Sequence, residues 1–157
     1  MKILVIGAGA GGAAATVELS LAGHDVTLWN RSPQTLEPFK VNGIAYDGVL
    51  GEGVIRPAGI TAELRDAVRG IDVALVTLPT FSHGAVAQAL AEAGWTAAAP
   101  VILNPGHTGG ALEFHEAYRR AGGGVPPPIA ELSTLTYVAR KYQPHSVTIS
   151  GRAGRIR

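Results

Sequence analysis

The chain has 157 residues, 46% of them apolar and 16% charged, with 21 glycines, 10 prolines, no cysteine and a formal net charge of +1. That length supports one compact domain, the apolar content excludes a disordered chain, and irregular glycine spacing with so few prolines excludes collagen. Interspersed charges leave no footprint for nucleic acid or an anionic membrane surface, no apolar run reaches the roughly 18 residues of a membrane span, and a cysteine-free chain suits the cytoplasm.

The predicted elements alternate. Lys2 to Ile6 is a β-branched apolar run that stops at Gly7, a short buried strand of the parallel type. A helical stripe follows through Ala14, Val17 and Leu21, with Gly23 as its stop, and Val26 to Trp29 is a second strand. Although Lys2 and the apolar residues after it mimic a secretory signal, Gly7, Gly9, Gly11 and Gly12 break the run. Strand, glycine turn, helix and strand within about 30 residues make a βαβ unit. A short helix at Pro33 to Lys40 leads into Val41 to Gly59, rich in glycine and β-formers and read as two short strands or a hairpin. Thr61 is a candidate N-cap for a helix through Val68; a strand over Asp72 to Thr77, a Pro79 turn and a helix from Ser82 to Ala93 come next. Val101 to Leu103 is another buried strand, and Thr108 can cap a helix from Gly110 to Arg120 that ends at Gly122-Gly123-Gly124. Two β-like stretches close the chain, Ile129 to Tyr137 and Ser146 to Ser150, before a basic end (Arg152, Arg155, Arg157) that reads as a solvated terminus. The expected class is α/β: a Rossmann-type, doubly wound, mostly parallel sheet with helices on both faces, plus a short β-rich insertion and C-terminal strands.

Gly7-Ala8-Gly9-Ala10-Gly11-Gly12 follows a strand and opens a helix, the context a dinucleotide fingerprint requires. Gly7 allows the tight turn, Gly9 lets the backbone approach a pyrophosphate, and Gly12 permits close helix–strand packing, while the first-turn N–H groups face the phosphates. About 20 residues on, where NAD-binding proteins place an acid against the ribose 2′-hydroxyl, stands Asn30-Arg31-Ser32. Arg31 can pair with a 2′-phosphate, and Asn30 and Ser32 can donate to it, which favours NADP(H) while leaving NAD(H) open. Thr77-Leu78-Pro79 and Asn104-Pro105-Gly106 close buried strands and belong on the carboxyl edge of the sheet, the first bordering the ribose and the second the nicotinamide end. Turn chemistry alone accounts equally well for their prolines and glycine. Thr108-Gly109-Gly110, opening a helix beside that edge, is a candidate site for a substrate carboxylate, and Glu131 is a lesser candidate for the same cleft.

Other signals carry less. Tyr137 and Lys141 have the Tyr-x-x-x-Lys spacing of short-chain dehydrogenases, but Leu132 to Tyr137 reads as strand and Pro144 follows closely. The histidines at 24, 83, 107, 115 and 145 show no metal-ligand spacing, so no metal is expected; His83 and His107 sit in cleft-edge loops.

With the fingerprint, Val26-Thr27-Leu28-Trp29-Asn30-Arg31-Ser32, the turn Leu78-Pro79-Thr80-Phe81-Ser82-His83, and above all Leu103-Asn104-Pro105-Gly106-His107-Thr108-Gly109-Gly110-Ala111-Leu112-Glu113-Phe114, the chain resembles the opine (octopine/nopaline) dehydrogenase family over essentially its whole length. More distantly, its N-terminal part is similar to glycerol-3-phosphate dehydrogenases and ketopantoate reductases. The resemblance implies a nicotinamide dinucleotide held by Gly7, Gly9, Gly12 and Arg31 and bordered by Pro79 and Asn104. It also implies reductive condensation of an amino acid with a 2-oxo acid, using NAD(P)H. Members of that family carry a second, helical domain that supplies the catalytic histidine and most of the substrate site, and residues 1–157 stop about where it should begin. No catalytic residue is assigned in this chain. Three readings follow, in this order: the cofactor-binding half of an opine-type dehydrogenase that needs a helical domain, a stand-alone NAD(P)-binding sensor acting through a partner protein, or a minimal reductase completed by a second subunit in a homodimer.

Overall fold

A computed structural model describes residues 1–154 of the chain. In order, the elements are β1 (Lys2–Ile6), α1 (Ala10–Leu21), β2 (Asp25–Trp29), α2 (Pro33–Asn42), β3 (Ile44–Gly48), β4 (Gly53–Ile55), β5 (Gly59–Thr61), α3 (Leu64–Ala67) and β6 (Val73–Val76). A single 3-10 turn (Thr80–Ser82) leads into α4 (His83–Ala93), then β7 (Val101–Leu103), α5 (Gly110–Arg120), β8 (Ile129–Glu131), β9 (Tyr137–Arg140) and β10 (Ser146–Arg152). The main sheet has six strands in the order β5-β2-β1-β6-β7-β8, every neighbouring pair parallel. The chain winds outward from β1 to β2 and β5, then returns to the other side of β1 with β6. The carboxyl ends of β1 and β6 therefore flank the switch point, where open α/β sheets take their ligands.

Alternation along the strands sends Ile3, Val5, Val26 and Leu28 to one face and Leu4, Ile6, Ala74, Val76, Val101 and Leu103 to the other. The second face is covered by α3, α4 and α5, through Ala67, Val86, Leu90, Phe114 and Tyr118. There the Tyr118 hydroxyl donates to the Trp95 carbonyl, and the Trp95 indole N–H donates to Ala99 at 2.9 Å. Burial on both faces is why these strands read as unbroken apolar runs.

The first face carries α1 and α2, and beyond them lies a second, mixed sheet of four strands in the order β4-β3-β10-β9. The β-rich insertion and the C-terminal strands are thus one layer: β3 and β4 form an antiparallel hairpin, and β10 runs parallel to β3, pairing Tyr46 with Val147. This layer makes α1 a filling between two sheets. Gly12 through Val17 are all buried, not only one stripe, and Leu21, expected on that stripe, is exposed. Alanines and glycines suit a helix packed on both sides, because each sheet must approach its backbone.

Three expectations are corrected. Thr61 ends β5 instead of capping a long helix; its hydroxyl accepts from the Glu63 N–H at 3.0 Å, and α3 spans only Leu64–Ala67. Ile129 to Tyr137 is not one stretch, because β8 closes the main sheet after three residues and β9 begins in the second sheet. Arg152 lies within β10 and pairs with Glu18 of α1, which also accepts from the Tyr137 hydroxyl. Arg155 and Arg157 lie outside the described residues.

Candidate functional site

The glycine turn at the end of β1 is dictated by steric contact. Gly7 has φ +111°, and a Cβ there would lie 2.8 Å from a Leu78 methyl. At Gly12 a Cβ would fall 1.7 Å from the Gly7 carbonyl oxygen, so α1 begins against the strand it leaves. The Thr77 hydroxyl donates to the Ile6 carbonyl at 3.0 Å, tying the end of β6 to this turn. Gly9, in contrast, has nothing within 4 Å of its Cβ direction. It is also the N-cap of α1, and no side chain caps the helix. The Ala13 N–H makes the first bond back to Gly9, so Ala10, Gly11 and Gly12 present the first-turn amides at the positive end of the helix. This open, uncapped cradle fits a pyrophosphate.

On one side of the cradle is the end of β2. The Asn30 side-chain carbonyl accepts from the Ala8 N–H at 3.2 Å, and its amide donates to the Ser32 carbonyl at 3.4 Å. Asn30 therefore braces the fingerprint turn, a duty that its position alone did not announce. The Ser32 hydroxyl donates to Gln34 at 2.9 Å, while Arg31 is exposed and forms no ion pair among the described residues. Arg31, Ser32, Leu78, Phe81 and Ala85 line a cleft of about 430 Å³ that runs between β2 and the start of α4. The second sheet also reaches the turn, through Lys141, whose ammonium donates to the Ala8 carbonyl at 3.4 Å.

On the other side, Asn104 is buried and its side-chain carbonyl accepts from the Thr136 N–H at 3.0 Å; a cis bond joins it to Pro105. The Gly106 N–H donates to Leu132 at 2.9 Å, and Gly106 lies directly on Glu131, where a Cβ would come within 2.2 Å of the Glu131 Cβ. The Glu131 carboxylate accepts from the Ala111 N–H at 2.7 Å. The expected substrate-carboxylate site at Thr108-Gly109-Gly110 is corrected accordingly: the carboxylate at the start of α5 is the chain's own, and Gly109, not Thr108, occupies the N-cap. A smaller cleft of about 270 Å³ remains beside it, lined by His107, Thr108, Glu131, Leu132 and Ser133. Leu78 thus borders the glycine turn, with Pro79 next to it as the N-cap of the 3-10 turn, and Asn104, Pro105 and Gly106 stand at the end of β7 two strands from β1.

His83, the first residue of α4, is fully buried under this edge. Its Nε2 lies 3.3 Å from the Leu78 carbonyl, which can only accept, so Nε2 carries the proton and Nδ1 is a bare acceptor without a partner among the described residues. Burial lowers the His83 pKa; the Leu78 bond, Glu113 and Glu131 oppose that shift and His107 adds to it. A histidine whose folded pKa lies below its unfolded value near 6.5 binds its proton more readily when the chain is unfolded. Its neutral form is fully tolerated above that value, and stability falls as the pH drops below it. Thermal unfolding of the chain should therefore fall more steeply between pH 7 and pH 5 than that of His83→Gln, by up to about 1.4 kcal/mol per pH unit. Parallel curves for the two proteins would refute the assignment.

Residues 3–106 match the family described as ketopantoate reductase PanE/ApbA. Opine dehydrogenase of Arthrobacter sp. (strain 1C) is 32% identical over 151 residues, which cover 96% of this chain and 42% of that protein. Octopine dehydrogenase solved in complex with NADH and agmatine superposes with a TM-score of 0.82 at 21% identity, over 99% of this chain and 41% of that one. Yersinopine dehydrogenase solved with NADP+ bound gives a TM-score of 0.80 at 20% identity, over 99% of this chain and 40% of that one. The chain spans about two fifths of the length of these relatives. Among the described residues no helix is long and apolar enough to cross a membrane.

Proposed function

Since the chain belongs to the ketopantoate reductase PanE/ApbA family, we propose that it is the NAD(P)-binding part of an opine dehydrogenase-like oxidoreductase. The observation that carries this reading is the cradle at the switch point, where Gly9 leaves room for a ligand and α1 offers uncapped amides. The choice of reaction rests on the opine dehydrogenase relative, which aligns over nearly all of this chain. When bound there, a reduced nicotinamide supplies hydride to the imine formed from an amino acid and a 2-oxo acid. The chain's own part is to hold and orient: Gly7, Gly9, Ala10, Gly11 and Gly12 at the pyrophosphate, Asn30, Arg31 and Ser32 at the adenosine ribose, Leu78 and Pro79 along the ribose, and Asn104, Pro105 and Gly106 at the nicotinamide end. Residues 1–157 form one cofactor-binding domain of a cytoplasmic enzyme, and the proton donor and substrate clamp come from a helical domain outside them. Phe81, Leu112 and Leu135, all exposed at the carboxyl edge of the main sheet, support a covering partner there. They also favour the third reading, in which a second subunit completes the site.

NADP(H) is the favoured cofactor, because Arg31 stands exposed at the end of β2 where a carboxylate would repel a 2′-phosphate. Arg31→Ala should weaken NADPH about tenfold in a fluorescence titration and leave NADH within about twofold; equal affinity of the unaltered chain for both nucleotides would end the preference. Function is tested by mixing the chain with NADPH, a 2-oxo acid and a panel of amino acids. Binding without turnover is the expected result, followed by turnover when a candidate helical domain is added in trans. Turnover by the chain alone would overturn the need for that domain.

A further inference from the structure

Lys141 lies immediately beyond β9, and its side chain crosses the buried ring of Phe39 on α2, with the ammonium 4.2 Å from the ring centroid. The ammonium donates to the Ala8 carbonyl at 3.4 Å, while the N–H of the same residue donates to the Asn30 brace. Among the described residues no carboxylate pairs with it. Burial holds its pKa below that of an ordinary lysine. An ammonium carries three donors, and among the described residues one long bond to a neutral carbonyl and a ring face are its only partners. Withdrawing a cation from water without a counter-charge is unfavourable. Its place on the fingerprint turn points to an anion that arrives at that turn.

We propose that Lys141 is a phosphate ligand of the dinucleotide, carried to the fingerprint turn by the second sheet. The proposal rests on the reading of that turn as a dinucleotide site. Two phosphates share the chemistry. The pyrophosphate belongs at the first turn of α1, and the 2′-phosphate belongs at Arg31 and Ser32, from which α2 carries Phe39 back beneath Lys141. In either case the second sheet has a role in binding besides covering α1.

The test is fluorescence titration of the chain, Lys141→Gln and Lys141→Arg with NADPH and with NADH at two salt concentrations, alongside thermal unfolding. Glutamine keeps a donor for the Ala8 carbonyl and removes the charge. Lys141→Gln should lose about tenfold or more in affinity, the scale of a charge-assisted hydrogen bond. It should also show a shallower salt dependence, while Lys141→Arg retains most of both. Loss with NADPH alone identifies the 2′-phosphate, equal loss with both nucleotides identifies the pyrophosphate, and each supports the proposal. Lys141→Gln binding like the unaltered chain would overturn it. So would a loss with unchanged salt dependence, which marks a prop for the turn. Should glutamine destabilise the fold, Lys141→Arg decides: a folded arginine variant that binds tenfold more weakly also counts against the proposal. If the unaltered chain binds neither nucleotide, the dinucleotide reading fails first, and that result is separate from unaltered binding by the glutamine variant.

Discussion

Gly12→Ala is expected to abolish dinucleotide binding and to destabilise the chain by about 3 kcal/mol or more, at the upper end of overpacking effects. The added methyl would stand 1.7 Å from the Gly7 oxygen and 2.8 Å from the Thr77 hydroxyl, whereas real Cβ atoms keep at least 3.0 Å from such neighbours. Neither neighbour can yield. One is the backbone of a positive-φ glycine, and the other is hydrogen-bonded to β1. α1 must therefore withdraw from the strand, and it is held from behind by the second sheet. Gly9→Ala is the companion experiment. Its methyl enters open space at φ −72°, so urea denaturation should move by no more than about 0.5 kcal/mol. Yet that space is where a pyrophosphate would lie, and affinity for NADPH should fall at least tenfold. A Gly9→Ala protein that binds normally would mean that no ligand crosses Gly9.

Glu131→Ala should cost about 2–3 kcal/mol of stability in the same assay. It strips the Ala111 N–H of its partner and leaves a gap beneath Gly106 and beside the bare Nδ1 of His83. Glu131→Gln keeps an accepting oxygen and should cost about 1 kcal/mol, mostly the charge at the helix end. The vacated place is small, anion-seeking and adjacent to the cleft at His107 and Ser133. Formate or acetate in the buffer should therefore restore part of the stability lost by Glu131→Ala and do nothing for the unaltered chain. Equal stability of Glu131→Ala and the unaltered chain would remove Glu131 from this role.

Much of this arrangement was written locally. Gly7 to Gly12, placed between a strand and a helix, specify the turn by sterics alone, and the strands β1, β2, β6 and β7 are apolar runs bounded by turn residues. What escaped was decided across the chain. β5 and β8 are three-residue strands at the margins of the sheet, with too few residues to show a period, and they are defined by pairing with β2 and β7. The burial of Gly12 through Val17 all round α1 depends on strands more than a hundred residues away, so the second buried face of the helix looked like ordinary alanine. Glu131, Asn30 and Lys141 are polar residues whose partners, Ala111, Ala8 and Ala8 again, carry no side-chain signal at all. A backbone amide or carbonyl leaves no mark in a sequence. Arg31 was the easier case, because its argument rests on the carboxylate that is missing beside it.

The parallel pairing of β3 with β10 has a consequence in time. The fingerprint helix leaves the ribosome well before β10, and synthesis proceeds at about 5–20 residues per second. Its outer cover needs residues 146–152, so for several seconds α1 stands with one apolar flank open to whatever else the cell offers. Contacts this distant in the chain also slow closure once synthesis is over. A nascent chain should thus become resistant to protease at Leu19 only after β10 has emerged, so the earliest-made part of the site is the last to be sealed.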